Sequence, residues 1–148
     1  MNRKDFLKTC GMACVSALPL SILMQGCAAP KSIAARIRGD DLIVPLSDFI
    51  QRKSAQIVYR PYVIVHHELL QYPVCVYRFS DSDYSALWMS CSHQGAELSV
   101  YGDKLVCAAH GSEFTNRGEV TGAPADKPLR RFPVQFTADH LKISLKAL

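Results

Sequence analysis

The chain reads CSHQGA at residues 91–96 and CAAHGS at residues 107–112. Each stretch joins one cysteine thiol to one histidine imidazole, with a glycine directly or one residue after the histidine. Each follows a short apolar run typical of a strand, so both stretches are predicted to be loops at the end of a sheet. A turn at residues 101–104 lies between them and predicts a hairpin that places the two loops side by side.

The spacing of these side chains favours two neighbouring metals over one. Structural zinc sites normally separate paired cysteines by two to four residues within one knuckle. Here a single residue separates Cys91 from His93, so each can reach a different metal, and Cys107 and His110 can do the same from the second loop. One iron would then have two thiolates and the other two imidazoles, which is the Rieske arrangement. A zinc-stabilised binding domain without a redox role is the alternative of another class.

The segment 91–114 closely resembles the Rieske [2Fe–2S] iron–sulfur family, and the resemblance covers roughly residues 40–146. It implies an all-β fold, an antiparallel β-sandwich of stacked sheets with a small cluster-binding subdomain whose loops span about residues 90–125. It also implies one [2Fe–2S] cluster per chain. The ligands it assigns are Cys91 and Cys107 to the buried iron, and His93 and His110 to the exposed iron.

The resemblance extends to residues around the ligands. Ser112 stands where a family serine donates a hydrogen bond to a bridging sulfide, and Pro124 belongs to a proline loop that shields the cluster. The high-potential branch of the family has a disulfide between the loops, but the matching positions are Ala96 and Ala109. A tyrosine of that branch is replaced by Phe114. These departures imply a reduction potential below that of the quinol-oxidising branch.

The rest of the chain predicts short strands. Residues 42–46, 62–66 and 74–79 are rich in β-branched and aromatic side chains, and residues 73–90 have the pattern of a hairpin. Apolar and polar residues alternate over 132–137 and 141–146, which predicts strands with one buried face. Many short strands with regular turns favour an antiparallel β domain.

The first residues predict export. Residues 1–26 have a basic head and then an uncharged stretch, as in a twin-arginine-like export signal, and end in a lipobox before Cys27. We expect Cys27 to be lipidated, residues 27–39 to be a tether and residues 40–148 to be the Rieske domain. An uncleaved membrane anchor is the alternative. Either places the domain at the periplasmic or outer side of a bacterial membrane.

Composition is that of a globular protein, with 49% hydrophobic and 20% charged residues and a net charge of +4. Residues 27–148 carry 14 Lys/Arg and 12 Asp/Glu, so the net charge without the signal is only +2. The basic residues of the chain are scattered along the sequence, which excludes a nucleic-acid partner. Cys75 alternates within a predicted strand and is expected to be a buried free thiol.

The sequence thus predicts a one-electron carrier, a subunit or partner of a respiratory or periplasmic oxidoreductase rather than an enzyme by itself. The expected partner is a redox protein, a cytochrome or oxidoreductase subunit, or else quinol. The alternative within the family is the Rieske subunit of a quinol–cytochrome c reductase-like complex.

Overall fold

The computed structural model describes residues 30–53 and 55–146, and this part of the chain is almost entirely β. Residues 1–29, on which the export signal and Cys27 fall, lie outside it. The strands in chain order are β1 (Ser32–Ala34), β2 (Arg36–Arg38), β3 (Asp41–Pro45), β4 (Ile50–Lys53), β5 (Gln56–Tyr59), β6 (Tyr62–His66), β7 (Val74–Arg78), β8 (Tyr84–Trp88), β9 (Leu98–Tyr101), β10 (Lys104–Cys107), β11 (Glu113–Thr115), β12 (Val120–Gly122), β13 (Arg131–Phe132), β14 (Val134–Phe136) and β15 (His140–Ser144). A single 3₁₀ turn, Leu46–Phe49, joins β3 to β4. No helix within this part has the length and apolar character of a membrane span.

The strands form three larger sheets and one hairpin. Their orders are β1-β6-β7-β8-β13, β14-β15-β3-β2 and β12-β11-β10-β9, and β4 pairs with β5. All pairs are antiparallel except β1 with β6. The predicted all-β fold of stacked sheets is therefore confirmed, including the hairpin formed by β7 and β8.

Strand β7 explains how the layers stack. All residues from Val74 to Tyr77 are buried, because both faces of this central strand are covered. Val74 and Val76 belong to a core shared with β3 and β15, whereas Cys75 and Tyr77 belong to a second core shared with β9, β10 and β11. The five-stranded sheet is thus the middle layer, and the second core lies beneath the two cysteine–histidine loops.

Two predictions need correction. Part of the expected tether, residues 27–39, is structured, because β1 pairs with β6 and β2 with β3. A tether that lets the domain swing must therefore end before Ser32. The continuous strand expected at 132–137 is split at Pro133, which cannot donate to a ladder, so β13 and β14 join different sheets. Phe136 lies at the edge and is 55% exposed, not buried as the alternation predicted.

Candidate metal centre

The two cysteine–histidine loops have the same backbone hydrogen bonds. In the first loop (91–96) the N–H of Gly95 donates to Cys91 O and that of Cys91 to Ala96 O, both at 2.8 Å. In the second loop (107–112) Gly111 and Cys107 donate at the equivalent positions, again at 2.8 Å. Gly95 and Gly111 have φ values of +73° and +81°, a left-handed conformation that glycine adopts without steric cost. The glycines noted in the sequence therefore close two equivalent turns.

The histidines occupy different positions within these equivalent turns. His93 is the third residue of the first loop, and His110 is the fourth of the second. Their rings nevertheless meet, with centroids 5.1 Å apart and planes at 88°. His93 Nδ1 is buried and has no hydrogen-bond partner within the described residues. A buried polar atom without a partner is costly, and a metal bound there would satisfy it.

The two cysteines lie beneath the histidines. Cys91 and Cys107 are 3% and 0% exposed, and both are free thiols in the second core. Burial opposes ionisation of Cys107, but the backbone N–H groups of His110 and Ala109 donate to its sulfur, as does the Cys91 thiol. The net effect lowers the pKa of Cys107, which favours the thiolate that binds metals.

Cys75 is the contrasting case. It lies in β7, within the same second core but apart from the loops, and it is fully buried. Burial raises the pKa of its thiol strongly, and a hydrogen bond with Tyr77 offsets only part of that rise. Cys75 therefore stays protonated, as its position in an apolar strand predicted.

The donor set fits two metals better than one. Two thiols come together on the buried side and two imidazoles on the outer side, as the Rieske type of [2Fe–2S] cluster requires. Over residues 30–53 and 55–146, no group of three or more His, Cys, Asp and Glu side chains is placed to hold one metal ion.

A third segment, residues 123–129, covers the side of both loops and contains the cis bond between Ala123 and Pro124. The buried hydroxyl of Ser112 accepts a hydrogen bond from Ala125 N at 3.1 Å. The hydroxyl of Ser92 donates to Lys127 O at 2.6 Å. One serine from each loop thus holds this segment, here called the proline segment. Sequence reasoning missed Ser92, which has no signal beyond its place between a cysteine and a histidine.

The residues expected around the ligands are placed as follows. Ser112 is fully buried, and its hydroxyl proton remains free to donate because Ala125 supplies the proton of their bond. Phe114, also fully buried, packs in the second core with both loop cysteines. Pro124 itself is exposed, and its neighbour Ala125 is the buried residue of the proline segment.

The chain is similar in sequence to a known family and to several solved structures. A family model described as "Rieske [2Fe-2S] domain" matches residues 52–133. The plasma membrane Rieske protein PetC3 of the cyanobacterium Synechocystis PCC 6803 is 24% identical over 57% of this chain and 86% of its own, with a TM-score of 0.49. The apo form of the quaternary ammonium Rieske monooxygenase CntA is 16% identical over 72% of this chain and 33% of its own, with a TM-score of 0.53. The ferredoxin of carbazole 1,9a-dioxygenase from Nocardioides aromaticivorans IC177 is 22% identical over 58% and 86%, with a TM-score of 0.45. The likeness to CntA is one of fold.

Proposed function

This chain belongs to the Rieske [2Fe–2S] domain family, and we propose that it is a membrane-tethered electron carrier that serves a periplasmic oxidoreductase. Members of the family bind a [2Fe–2S] cluster, which takes up and releases one electron at a time. We assign Cys91 and Cys107 as ligands of the buried iron and His93 and His110 as ligands of the exposed iron. The observation that carries the assignment is a pair of contacts at the two loops. The Cys91 thiol donates to the sulfur of Cys107 inside the second core, and the His93 and His110 rings meet outside it.

The protein's own residues prepare this site. The backbone N–H groups that donate to Cys107 lower the pKa of its thiol and so favour the thiolate, and the second core keeps water from both sulfurs. Ser92 and Ser112 fix the proline segment at the side. Because these hydrogen bonds hold the ligands in nearly the same geometry in both oxidation states, little of the site has to reorganise when the electron moves.

The outer surface of the site is suited to close approach by a partner. His110 and its neighbours Ala108 and Ala109 are exposed, and the two alanines are small. A redox partner can therefore come near the imidazole edge without displacing a long side chain. We place the electron's entry and exit here and take a cytochrome or an oxidoreductase subunit as the partner.

The tether rests on the sequence. The basic head, the uncharged stretch and the Gly-Cys pair at 26–27 support export and lipidation at Cys27. A lipid chain there would keep the domain at the outer side of the membrane. Metabolic labelling with a radioactive fatty acid tests this. Incorporation that Cys27→Ser abolishes supports the tether, and an unlabelled native chain contradicts it.

Spectroscopy of the reduced full chain tests the metal assignment. We expect a rhombic EPR signal after dithionite, with an average g below that of four-cysteine clusters, and two irons per chain. Cys107→Ala should abolish the signal and the iron. Cys75→Ala is the matched control, because it removes an equally buried thiol from the same core, and it should keep both. One zinc and no EPR signal would contradict the proposal.

A redox titration separates an accessory carrier from a quinol-oxidising subunit. The alanines at 96 and 109 and the phenylalanine at 114 predict a lower potential than that of the high-potential branch. A midpoint potential high enough to oxidise quinol would favour the subunit of a quinol–cytochrome c reductase-like complex instead.

A further inference from the structure

The β4–β5 hairpin is an apolar arm outside the three larger sheets. Within the described residues its two strands pair only with each other. Ile57 is 63% exposed and Tyr59 49%, and Ile50 and Val58 are each 37% exposed. The register of the hairpin places Ile50, Ile57 and Tyr59 on one face and Val58 on the other, and Arg78 lies over the Tyr59 ring. The shared face, with Ile57 as its most exposed member, is suited to an apolar contact.

The charged residues of the arm are all basic. Residues 50–60 include Arg52, Lys53 and Arg60 and no acidic residue. Arg52 and Lys53 are exposed at the end of β4. Apolar side chains flanked by basic ones are characteristic of segments that lie in the interface of a bilayer with anionic lipids.

The arm is also close to the point where the chain joins the domain. Lys31 Nζ contacts Asp48 Oδ1 at 2.7 Å, and Asp48 lies two residues before β4. Four residues of fully extended chain span about 14 Å, which bounds the distance between the Cα atoms of Cys27 and Lys31. A four-residue strand is of the same size, about 13 Å. A lipid on Cys27 and the apolar arm can therefore reach one membrane surface.

The arm leaves the middle sheet at the end opposite the metal loops. It is followed directly by β6, whose first residue, Tyr62, pairs with Tyr77 near the end of β7. The metal loops follow the other end of the sheet, where Val74 pairs with Trp88. Because β1 is parallel to β6, the chain also comes into the sheet from the Tyr62 end. The arm and the tether therefore share one end of the sheet, and the histidines lie at the other.

We propose that the β4–β5 arm lies in the interface of an anionic bilayer beside the Cys27 lipid. The inference rests on the tether of the proposed function. Two attachments fix the orientation of the domain, where a single lipid would leave it free to tumble. The histidines then face away from the bilayer, so the electron partner is a protein reached from the aqueous side rather than quinol within the membrane.

Fluorescence quenching by lipids tests this orientation in the full, lipidated chain. The protein is reconstituted in vesicles of phosphatidylcholine and phosphatidylglycerol in equal parts, with and without bromine on the acyl chains. Ile57→Trp places a reporter on the arm. Leu69→Trp is the matched control, because Leu69 is 75% exposed and lies between β6 and β7 at the loop-bearing end of the sheet. The native chain gives the baseline from its single tryptophan, Trp88.

We expect brominated lipid to reduce the added fluorescence of Ile57→Trp by about twofold and to leave that of Leu69→Trp unchanged, since tryptophan favours the bilayer interface when it can reach it. The EPR signal of both variants should match that of the native chain. Vesicle-bound protein without quenching of Ile57→Trp overturns the inference and leaves the tether intact, and the arm is then a protein-docking surface. Equal quenching of both variants overturns the fixed orientation. Protein that does not float with the vesicles overturns both the tether and the arm, but not electron transfer.

Discussion

Ser112 accepts a hydrogen bond from the backbone N–H of Ala125 at 3.1 Å, and both residues are buried. The bond joins the second loop to the proline segment across 13 residues of chain. A serine hydroxyl can donate one proton while it accepts another. Ser112 therefore holds the proline segment in place and keeps its own hydroxyl proton. That proton is available for the hydrogen bond to a bridging sulfide that the family resemblance assigns to this serine.

Ser112→Ala should lower the midpoint potential, because the reduced cluster is the more negative one and loses a donor. The fall should be on the order of 65–130 mV, since a hydrogen bond to a charged acceptor contributes about 1.5–3 kcal/mol and a tenfold one-electron equilibrium change is 59 mV. Redox titration followed by EPR measures it. Ser92→Ala is the control, because that hydroxyl donates to Lys127 O, and its potential should change little. Equal shifts in both variants would mean that the proline segment, not the Ser112 proton, sets the potential.

Gly111→Ala should reduce the amount of bound cluster. At a φ of +81° a side chain strains the turn that places His110, although no atom lies within 4 Å of the added carbon. Gly102→Ala is matched, with a φ of +62° and equally open space in the β9–β10 turn. Both should lower the free energy of unfolding by about 1–2 kcal/mol, the cost of the left-handed conformation. Iron per chain should fall only in Gly111→Ala, and a similar loss in Gly102→Ala would contradict a local effect.

Cys75 should stay unmodified by iodoacetamide in the folded protein at neutral pH. Alkylation needs a thiolate, and burial raises the pKa of this thiol. Removal of the cluster with a chelator should free the loop sulfurs from iron. Cys107, the thiol of lowered pKa, should then react before Cys75, as mass spectrometry of the peptides would show. Alkylation of Cys75 before Cys107 would contradict the raised pKa of the Cys75 thiol.

The ion pair of Arg117 with Asp83 should stabilise the fold at neutral pH and lose that effect in acid. Arg117 hydrogen-bonds Asp83 through both terminal nitrogens and lies over Phe79, 3.7 Å from the ring centroid. The hydrogen bonds lower the pKa of Asp83, so the stabilisation is full above its unfolded-state pKa of about 3.9 and is lost as pH falls through the lower folded-state value.

Urea unfolding of the native chain and Asp83→Asn from pH 7 to pH 2 measures this. The difference in the free energy of unfolding between the native chain and Asp83→Asn should disappear at the acid end of this range. Comparing differences removes any common effect of acid on the cluster. Arg117→Gln and the double variant complete the cycle, and the two single changes should not be additive at pH 7. A gap that persists at pH 2 would mean that Asp83 acts through packing rather than charge.

The sequence predicted best where chemistry and turns are local. The glycines that close the two loop turns and the hairpin of β7 and β8 depend on residues close together in the chain. The four ligand candidates also come from local spacing, and their role as ligands stays a prediction. Ser112 was placed by resemblance, and its bond to Ala125 is consistent with that expectation.

The features that the sequence did not predict depend on contacts between residues that are distant in the chain. The three-residue strand β1 is parallel to β6, and no pattern in the sequence near Ile33 indicates that this residue pairs with Val65. Ser92 gains its role only because Lys127 comes to lie beside it. The β4–β5 hairpin is a further case. Ile50–Lys53 forms a strand there because β5 folds back on it, and no alternation of polar and apolar residues marks the exposed pair.

Strand β7 also limits how the metal-binding loops can be reused. Since alternate residues of this strand complete two different cores, a graft of residues 90–125 onto another β scaffold would leave the second core without Cys75 and Tyr77. The unit to be transferred therefore has to include β7 and β8, because both strands contribute side chains to the second core beneath the loops.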